Sequence, residues 1–370
     1  MVPEPGQVRL TTSAKATVVK KPTLRILVPQ PFQLGLDTFG DVTFAPDGTL
    51  KSDAQALRDV IEQAVLAEHV GIDAFGVGEH HRPDFSISAP EVMLAAIATK
   101  TERMLLGSAV TVLSTDDPVR VFERFSTVDA ISNGRAEVIL GRGSFTESYQ
   151  LFGFDLAKYT ELFEERLALF ARLLENAPVT WSGRTRTSLT DQIVYPRIEN
   201  GRLRAWVGVG GSPESVVRAA RYGFPLTLAI IGGNPHRFRP YVDLFLESLT
   251  QFGRQALPVA VHSPGYVADT DEEAMNDLWP HYAAMMTRIG AERGWPPMTR
   301  EHFNAEIEHG SLYVGAPETV ASRIATTAKA LGISRFHMKY SAGTLSHEKI
   351  MRCIELYGRK VIPLTRDLLA

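Results

Sequence analysis

Residues 104–140, MLLGSAVTVLSTDDPVRVFERFSTVDAISNGRAEVIL, decide the fold. The apolar run Met104–Leu113 is typical of a buried strand. A helix is predicted at Asp117–Ile131, with Pro118 in its first turn, and a second apolar strand at Ala136–Leu140. Strands that are apolar throughout and separated by a helix predict a parallel sheet covered by helices on both faces.

The same unit recurs along the chain. An apolar run at residues 23–29 predicts the first strand, and a polar, glycine-bearing stretch follows it to about Lys51. A helix then begins at Ser52, whose spacing to Gln55 is that of a capping box, and ends at Gly71. Further strands are predicted at residues 72–77, 205–209, 226–231, 258–262 and 335–340. Further helices are predicted at residues 90–100, near 159–176, at 212–222, near 239–252, at 317–331 and from 346 onward.

Eight predicted strands, nearly all followed by helices, fit an α/β fold of the closed (β/α)8 type, the TIM barrel. A doubly wound open sheet is the alternative, but no G-x-G-x-x-G motif follows the first strand. We expect residues 1–22 to form a tail or arm and residues 23–370 to form one barrel domain. Insertions near 177–204 and 266–310 would lie on the barrel as flaps.

The composition is that of an ordinary soluble globular protein. The 370 residues are 44% hydrophobic and 22% charged, and 39 Lys and Arg against 42 Asp and Glu give a net charge of −3. This balance argues against nucleic acid as a partner, since such binding needs clustered positive charge. The single cysteine, Cys353, excludes an internal disulfide and a multi-cysteine metal site. With neither a membrane-length apolar run nor a secretory signal, we expect a cytoplasmic protein.

In a (β/α)8 barrel the active site lies at the carboxyl ends of the strands. After the second strand come Glu79, His80 and His81, which can supply acid–base chemistry near neutral pH. The two histidines are adjacent on an extended segment, so they should point in opposite directions. A metal pair, or polar loop residues with satisfied hydrogen bonds, would also explain them. We predict no metal site.

Two further strand ends suit an anion. Arg142 lies between two glycines, although a turn with a solvated arginine would look the same. After the fifth strand, Gly210 and Gly211 lead into a helix that begins near Ser212 and Ser215, which is typical of an anion-binding nest. A plain helix cap explains Ser212 but not the two glycines. Two such places in one barrel favour a phosphorylated ligand.

Several stretches together resemble the bacterial-luciferase-like flavin monooxygenases. They are GEHH at 78–81, LLGSAVTVLSTDDPVR at 105–120, GRGS at 141–144 and WVGVGGSPESVVRAARYGFPL at 206–226. The resemblance spans roughly residues 23–368. It implies a TIM barrel with insertions that binds reduced FMN at the carboxyl ends of its strands.

The resemblance also implies roles for single residues. His80 would act in the flavin–oxygen chemistry, and a non-proline cis peptide would join Ala109 to Val110 beneath the flavin ring. The FMN phosphate would lie between Arg142 and the nest formed by Gly210, Gly211, Ser212 and Ser215. The family's luciferase has a glutamate at the position of Gly211 and a reactive cysteine at that of Gly141, so light emission and long-chain aldehyde substrates are not implied.

The function predicted on this basis is a two-component monooxygenase. It would use reduced FMN, supplied by a separate flavin reductase, and O2 to oxygenate a small organic substrate. A homodimer or higher homo-oligomer is expected, with no nucleic acid or membrane partner. A deazaflavin-dependent hydride-transfer enzyme is the alternative, followed by a non-catalytic flavin-binding protein, since a fold does not fix a function.

Overall fold

A parallel barrel forms the centre of the computed structural model, which describes residues 32–45, 47–199 and 201–370. The strands are β1 (Gln33–Thr38), β2 (Ala74–Val77), β3 (Leu105–Ser108), β4 (Thr111–Val112), β5 (Ala136–Gly141), β6 (Val179–Trp181), β7 (Leu189–Gln192), β8 (Arg204–Val209), β9 (Leu226–Ala229), β10 (Val259–Val267), β11 (Tyr313–Gly315) and β12 (Arg335–Lys339). Eight of them close the barrel in the order β1, β2, β3, β5, β8, β9, β10, β12. Closure comes from β12, where Arg335 pairs with Gln33 of β1 on one side and Ala260 of β10 on the other. The predicted (β/α)8 fold is confirmed.

Helices alternate with the barrel strands along the chain. They are α1 (Asp53–His69), α2 (Pro90–Ala98), α3 (Pro118–Ile131), α4 (Glu147–Leu151), α5 (Tyr159–Leu173), α6 (Pro213–Tyr222), α7 (Arg239–Gln251), α8 (Asp271–Arg293), α9 (Arg300–Glu308), α10 (Pro317–Leu331), α11 (His347–Leu356) and α12 (Ile362–Leu369). The predicted caps are present, since the Ser52 hydroxyl accepts from the Gln55 N–H and that of Ser212 accepts from the Ser215 N–H. None of the described helices is both long and apolar enough to cross a lipid bilayer.

The first barrel strand does not match the sequence-based expectation. The strand predicted at residues 23–29 lies outside the described residues. The segment after it was predicted to have no strand as far as Lys51, and this prediction is wrong, because the segment contains β1. In β1, fully buried Leu34 and Leu36 alternate with Gly35 and Asp37. Both faces of this strand are buried, although one face carries polar and small residues. Polar and small residues are also typical of loops, so the sequence did not predict a buried strand here.

The two predicted insertions contain secondary structure of their own. In the first, β6 and β7 form an antiparallel hairpin. The second begins inside β10, which extends to Val267 and pairs there with β11. Its long helix, α8, buries Leu278, Tyr282, Met285 and Ile289. The boundary between a tail at residues 1–22 and the barrel domain remains a prediction.

Polar and apolar residues alternate along β12. Phe336 and Met338 are fully buried in the main hydrophobic core. Arg335, His337 and Lys339 point the other way, into the barrel, and each meets a carboxylate: Arg335 that of Glu137, His337 that of Asp37 at 2.8 Å, and Lys339 that of Asp41 at 2.9 Å. A charge inside a barrel is tolerated only when it is paired, because leaving water is costly.

We therefore expect Arg335→Met to destabilise the fold by about 3–5 kcal/mol, because it leaves Glu137 buried without its partner. Arg172→Met is the matched control, since Arg172 pairs with Glu175 on the surface, where such pairs contribute at most about 1 kcal/mol. Urea denaturation of both variants measures the difference. Equal losses would show that the buried pair contributes no more than a surface pair.

Candidate active site

A cavity of about 310 Å³ opens at the carboxyl ends of the barrel strands. Its wall brings together His80 after β2, Val110 after β3, Arg142 after β5, Gly210 after β8 and His262 of β10. Four of these five were predicted site residues, and they meet because parallel strands in a barrel end at one rim. Of the other predicted residues, Ala109 is buried beside Val110, while Gly211, Ser212 and Ser215 are not part of the described wall.

His80 lies in an aromatic pocket. Its ring centroid is 4.6 Å from that of Phe39, 4.7 Å from Phe85 and 5.0 Å from Phe145. The Nδ1 atom has no hydrogen-bond partner among the described atoms, and Glu147 Oε1 lies 3.5 Å away. Burial lowers the pKa of His80 below its ordinary value and outweighs the opposing effect of Glu147. The imidazole is therefore neutral at neutral pH.

Glu79 and His81 hydrogen-bond to each other and have different partners from His80, as expected if the two histidines point in opposite directions. Glu79 Oε1 lies 3.0 Å from Nε2 of His81, and Oε2 accepts from the Val112 N–H at 2.7 Å. The Glu79 N–H donates to the Val110 carbonyl at 3.1 Å. Glu79, oriented by His81, thus holds the segment that follows β3.

The peptide between Ala109 and Val110 is cis, so this prediction is confirmed. The cis peptide separates β3 from β4, which the sequence suggested was one continuous strand. Two glycines make room for the Val110 side chain. A Cβ atom on Gly141 would lie 2.4 Å from Val110 Cγ2, and one on Gly208 would lie 3.1 Å from Cγ1. Val110 therefore fits closely between these two glycines and contributes an apolar part of the cavity wall.

The predicted anion-binding end combines Arg142 with the start of α6. The Arg142 guanidinium lies over the Tyr159 ring at 4.9 Å, and the Tyr159 hydroxyl donates to the Gly143 carbonyl at 2.9 Å. Gly211 has φ +115°, a conformation that favours glycine. Arg142 and Gly210 share the cavity wall, so an arginine and the glycine turn before α6 flank the same space.

The serines at this end already have partners. The Ser212 hydroxyl donates to Glu214 Oε2 at 2.7 Å, and buried Ser215 Oγ accepts from Arg218 Nη1 at 3.2 Å. The hydrogen bond from Ser212, together with the charges of Arg142 and Arg218, lowers the pKa of the exposed Glu214. An anion that binds here would compete with the Glu214 carboxylate for the Ser212 hydroxyl.

His262 was not singled out from the sequence, although it lies at the end of a predicted strand. Its Nδ1 lies 2.6 Å from Asp37 Oδ2, and the other oxygen of Asp37 is 2.8 Å from Nδ1 of His337. Burial by itself would raise the pKa of Asp37, but the two histidines hold it well below its ordinary value. A histidine at the end of a barrel strand was the available signal, whereas its partner Asp37 lies 225 residues away in the chain.

One wall of the cavity comes from the second insertion and is mostly apolar. Its lining residues are Leu278, Tyr282, Met285, Met286, Ile289 and Trp295. The end of α8 forms ion pairs with the loop that follows β2. Glu292 accepts from Arg82 at 2.6 and 2.8 Å, and Arg288 pairs with Asp84 at 2.7 Å. The insertion thereby determines the shape of the cavity.

A second group of side chains has the spacing of metal ligands. Atoms of Asp59, Glu62 and His347 lie within 4.8 Å of one another. The Lys51 ammonium already binds the Asp59 carboxylate, so a cationic group occupies this cluster. The cluster is explained as a charge network.

Comparison with known proteins identifies the family to which the chain belongs. The family model described as luciferase-like monooxygenase matches residues 38–335. The chain belongs to this family. The resemblance seen in the sequence motifs is thereby confirmed.

One curated relative and two solved structures resemble this chain over most of its length. It is 27% identical to 4-hydroxyprotoasukamycin monooxygenase from Streptomyces nodosus subsp. asukaensis, over 82% of this chain and 85% of that one. The FMN complex of the oxygenating constituent of 3,6-diketocamphane monooxygenase from Pseudomonas putida has a TM-score of 0.73 at 17% identity, covering 90% and 98% of the two chains. An F420-dependent secondary alcohol dehydrogenase has a TM-score of 0.68 at 20% identity, covering 90% and 99%. At these identities the solved structures show a shared fold.

The buried position of His80 predicts a pH dependence of stability. At a pH where the unfolded chain takes up a proton on this histidine, the folded protein keeps it neutral, so folding free energy is lost as the pH falls. From about pH 8 to about pH 5.5, wild-type protein should lose more stability than His80→Gln. His236→Gln, which changes an exposed histidine, is the control. Urea titrations across this range measure the slopes, and parallel curves for wild type and His80→Gln would contradict the expectation.

Proposed function

We propose that this luciferase-like protein is a two-component monooxygenase that uses reduced FMN and O2 to oxygenate a small organic substrate. One observation carries the proposal: a single cavity joins Arg142 and Gly210 at one end to Val110 and His80. A flavin mononucleotide needs both an anion site for its phosphate and a flat apolar surface for its ring. Reduced FMN would supply the electrons for the reaction with O2.

The phosphate end is assigned to Arg142 and the start of α6. An arginine binds a phosphate with two parallel hydrogen bonds, and the free N–H groups of a helix N-terminus add a positive dipole. Gly210 and Gly211 allow close approach of the ligand, while the Ser212 hydroxyl would turn from Glu214 toward the phosphate. Ser215 would contribute through the hydrogen bond that its hydroxyl accepts from Arg218.

The ring end is assigned to Val110, with buried Ala109 behind it. The ring would rest against the Val110 side chain, which occupies the space that a Cβ atom on Gly141 or Gly208 would need. His80 would then act in the oxygen steps. Its neutral imidazole can hold or release a proton at a ring nitrogen, with Glu147 Oε1 3.5 Å from Nδ1 as the nearest acceptor.

A separate flavin reductase, a homodimer or higher oligomer, and a cytoplasmic setting belong to the same proposal. No G-x-G-x-x-G motif follows the predicted first strand, which favours reduction of the flavin elsewhere. Exposed Val92 on α2 and Ile131 at the end of α3 supply apolar surface on helices next to the second and third barrel strands. A second copy that packed against these two helices would bury both side chains.

The deazaflavin alternative rests on the likeness in fold to an F420-dependent dehydrogenase. A titration that compares reduced FMN, oxidised FMN and deazaflavin tests the cofactor, and we expect tightest binding of reduced FMN. Oxygen uptake with reduced FMN and a panel of organic substrates then tests the reaction. Tighter deazaflavin binding would favour hydride transfer, whereas flavin binding without a substrate-dependent product would favour a non-catalytic flavin carrier.

Arg142→Ala should weaken FMN binding by about 1.5–3 kcal/mol, the range for hydrogen bonds to charged groups. Riboflavin lacks the phosphate, so its affinity should change little. Arg120→Ala removes an exposed arginine on α3 and is the matched control. Fluorescence titrations with both flavins measure the effect, and equal losses for FMN and riboflavin would refute the phosphate assignment.

His80→Ala should lower turnover by about 10²- to 10⁴-fold, the usual effect of losing a positioned acid–base group, with little change in FMN affinity. His81 lies on the opposite side and pairs with Glu79, so His81→Ala should be tolerated better. Product formation, FMN affinity and melting temperature are compared for both variants. Full activity in His80→Ala, or an activity loss that merely follows a loss of folding, would remove His80 from the mechanism.

A further inference from the structure

The ionisable side chains of the described cavity wall include two imidazoles, those of His80 and His262. Lys339 already donates to both carboxylate oxygens of Asp41 and to a backbone carbonyl, which uses all three of its N–H bonds. The arginines keep their protons, and burial raises the pKa of both tyrosines on the wall. Among the described wall residues, His80 and His262 remain.

His262 is oriented as a general base is oriented. Its Nδ1 lies 2.6 Å from Oδ2 of a buried carboxylate, Asp37. Asp37 is held from its other side by His337, whose ring would collide with any side chain at Gly35. When Nδ1 carries the hydrogen shared with Asp37, Nε2 carries the free lone pair. A carboxylate in this position also stabilises the imidazolium that forms when Nε2 takes a proton.

His80 lacks this arrangement. Its Nδ1 has no hydrogen-bond partner among the described atoms, and aromatic rings surround it. The two histidines lie on either side of Phe39, whose ring centroid is 4.6 Å from that of His80 and 6.2 Å from that of His262. The cavity therefore has two imidazoles with different environments, and only His262 is fixed by a carboxylate.

We propose that His262, oriented by Asp37, accepts an acidic O–H proton from a substrate that is otherwise apolar, such as a phenol or an enol. The apolar wall from α8 would contact the body of this substrate. The O–H bond breaks, the proton forms an N–H bond at Nε2, and the electron pair stays on oxygen and enriches the conjugated carbon framework. His262 would be a catalytic residue and Asp37 a positioning residue.

The inference takes its reaction from the proposed function, but its test needs neither flavin nor O2. The probe is 4-nitrophenol, whose phenolate absorbs visible light, titrated with pH in the presence of excess protein. Bound to wild-type protein, its ionisation constant should rise at least about tenfold relative to free probe, because the phenolate gains a hydrogen bond from the imidazolium. His262→Asn keeps an amide N–H for Asp37 but has no base, and should lose this shift. His236→Asn, on the surface, is the control.

Melting temperatures accompany each titration, and His262→Gln is the second variant if His262→Asn folds poorly. Asp37→Asn should reduce the shift as well, because His262 would lose the carboxylate that stabilises its imidazolium. No shift with wild-type protein, or the full shift in folded His262→Asn, overturns the proposal. A shift lost only in His80→Asn would also overturn it, by assigning the base to the other imidazole. Oxygenation of a substrate is measured in a separate experiment. The monooxygenase function and the role of His262 as a base can therefore be refuted independently of each other.

Discussion

Charge pairing along β12 is the constraint on which the barrel and its cavity depend. Arg335, His337 and Lys339 point inward from one strand, and each is paired with a carboxylate, that of Glu137, Asp37 or Asp41 respectively. An unpaired charge inside a barrel costs several kcal/mol, so the pairs limit how β12 can lie against its neighbours. Two of the three carboxylates come from β1 or the loop after it, next to the strand that closes the barrel. The strand that closes the barrel therefore also places Lys339 in the cavity wall.

Glycine is required where these polar groups cross the barrel. A Cβ atom on Gly35 would lie 2.6 Å from His337 Cε1, and one on Gly76 would lie 2.0 Å from Asp37 Oδ1. At the rim, Gly141 and Gly208 do the same for Val110. In the lower barrel, polar groups occupy the space that glycines leave open. At the rim, the Val110 side chain occupies that space, and we propose that a flavin ring rests against it.

The fold of this family serves more than one cofactor chemistry, so the side chains around the cavity must determine the reaction. Solved structures with this fold include an FMN complex of an oxygenating enzyme and an F420-dependent dehydrogenase. In this chain, the neutral His80 lies among phenylalanines and the carboxylate-held His262 lies beyond Phe39. Two imidazoles in such different surroundings are suited to separate steps of one reaction.

The sequence by itself determined the features that depend on short-range spacing. The caps at Ser52 and Ser212, the (β/α)8 unit, and the meeting of His80, Arg142 and Gly210 at one rim all follow from local patterns and from the rule that parallel strand ends meet. Only the tertiary structure decided that Gly35 and Asp37 belong to a strand, and that His262 is held by a carboxylate 225 residues away. A buried carboxylate looks like a loop residue until barrel closure brings its two histidine partners to it, and no local pattern contains those partners.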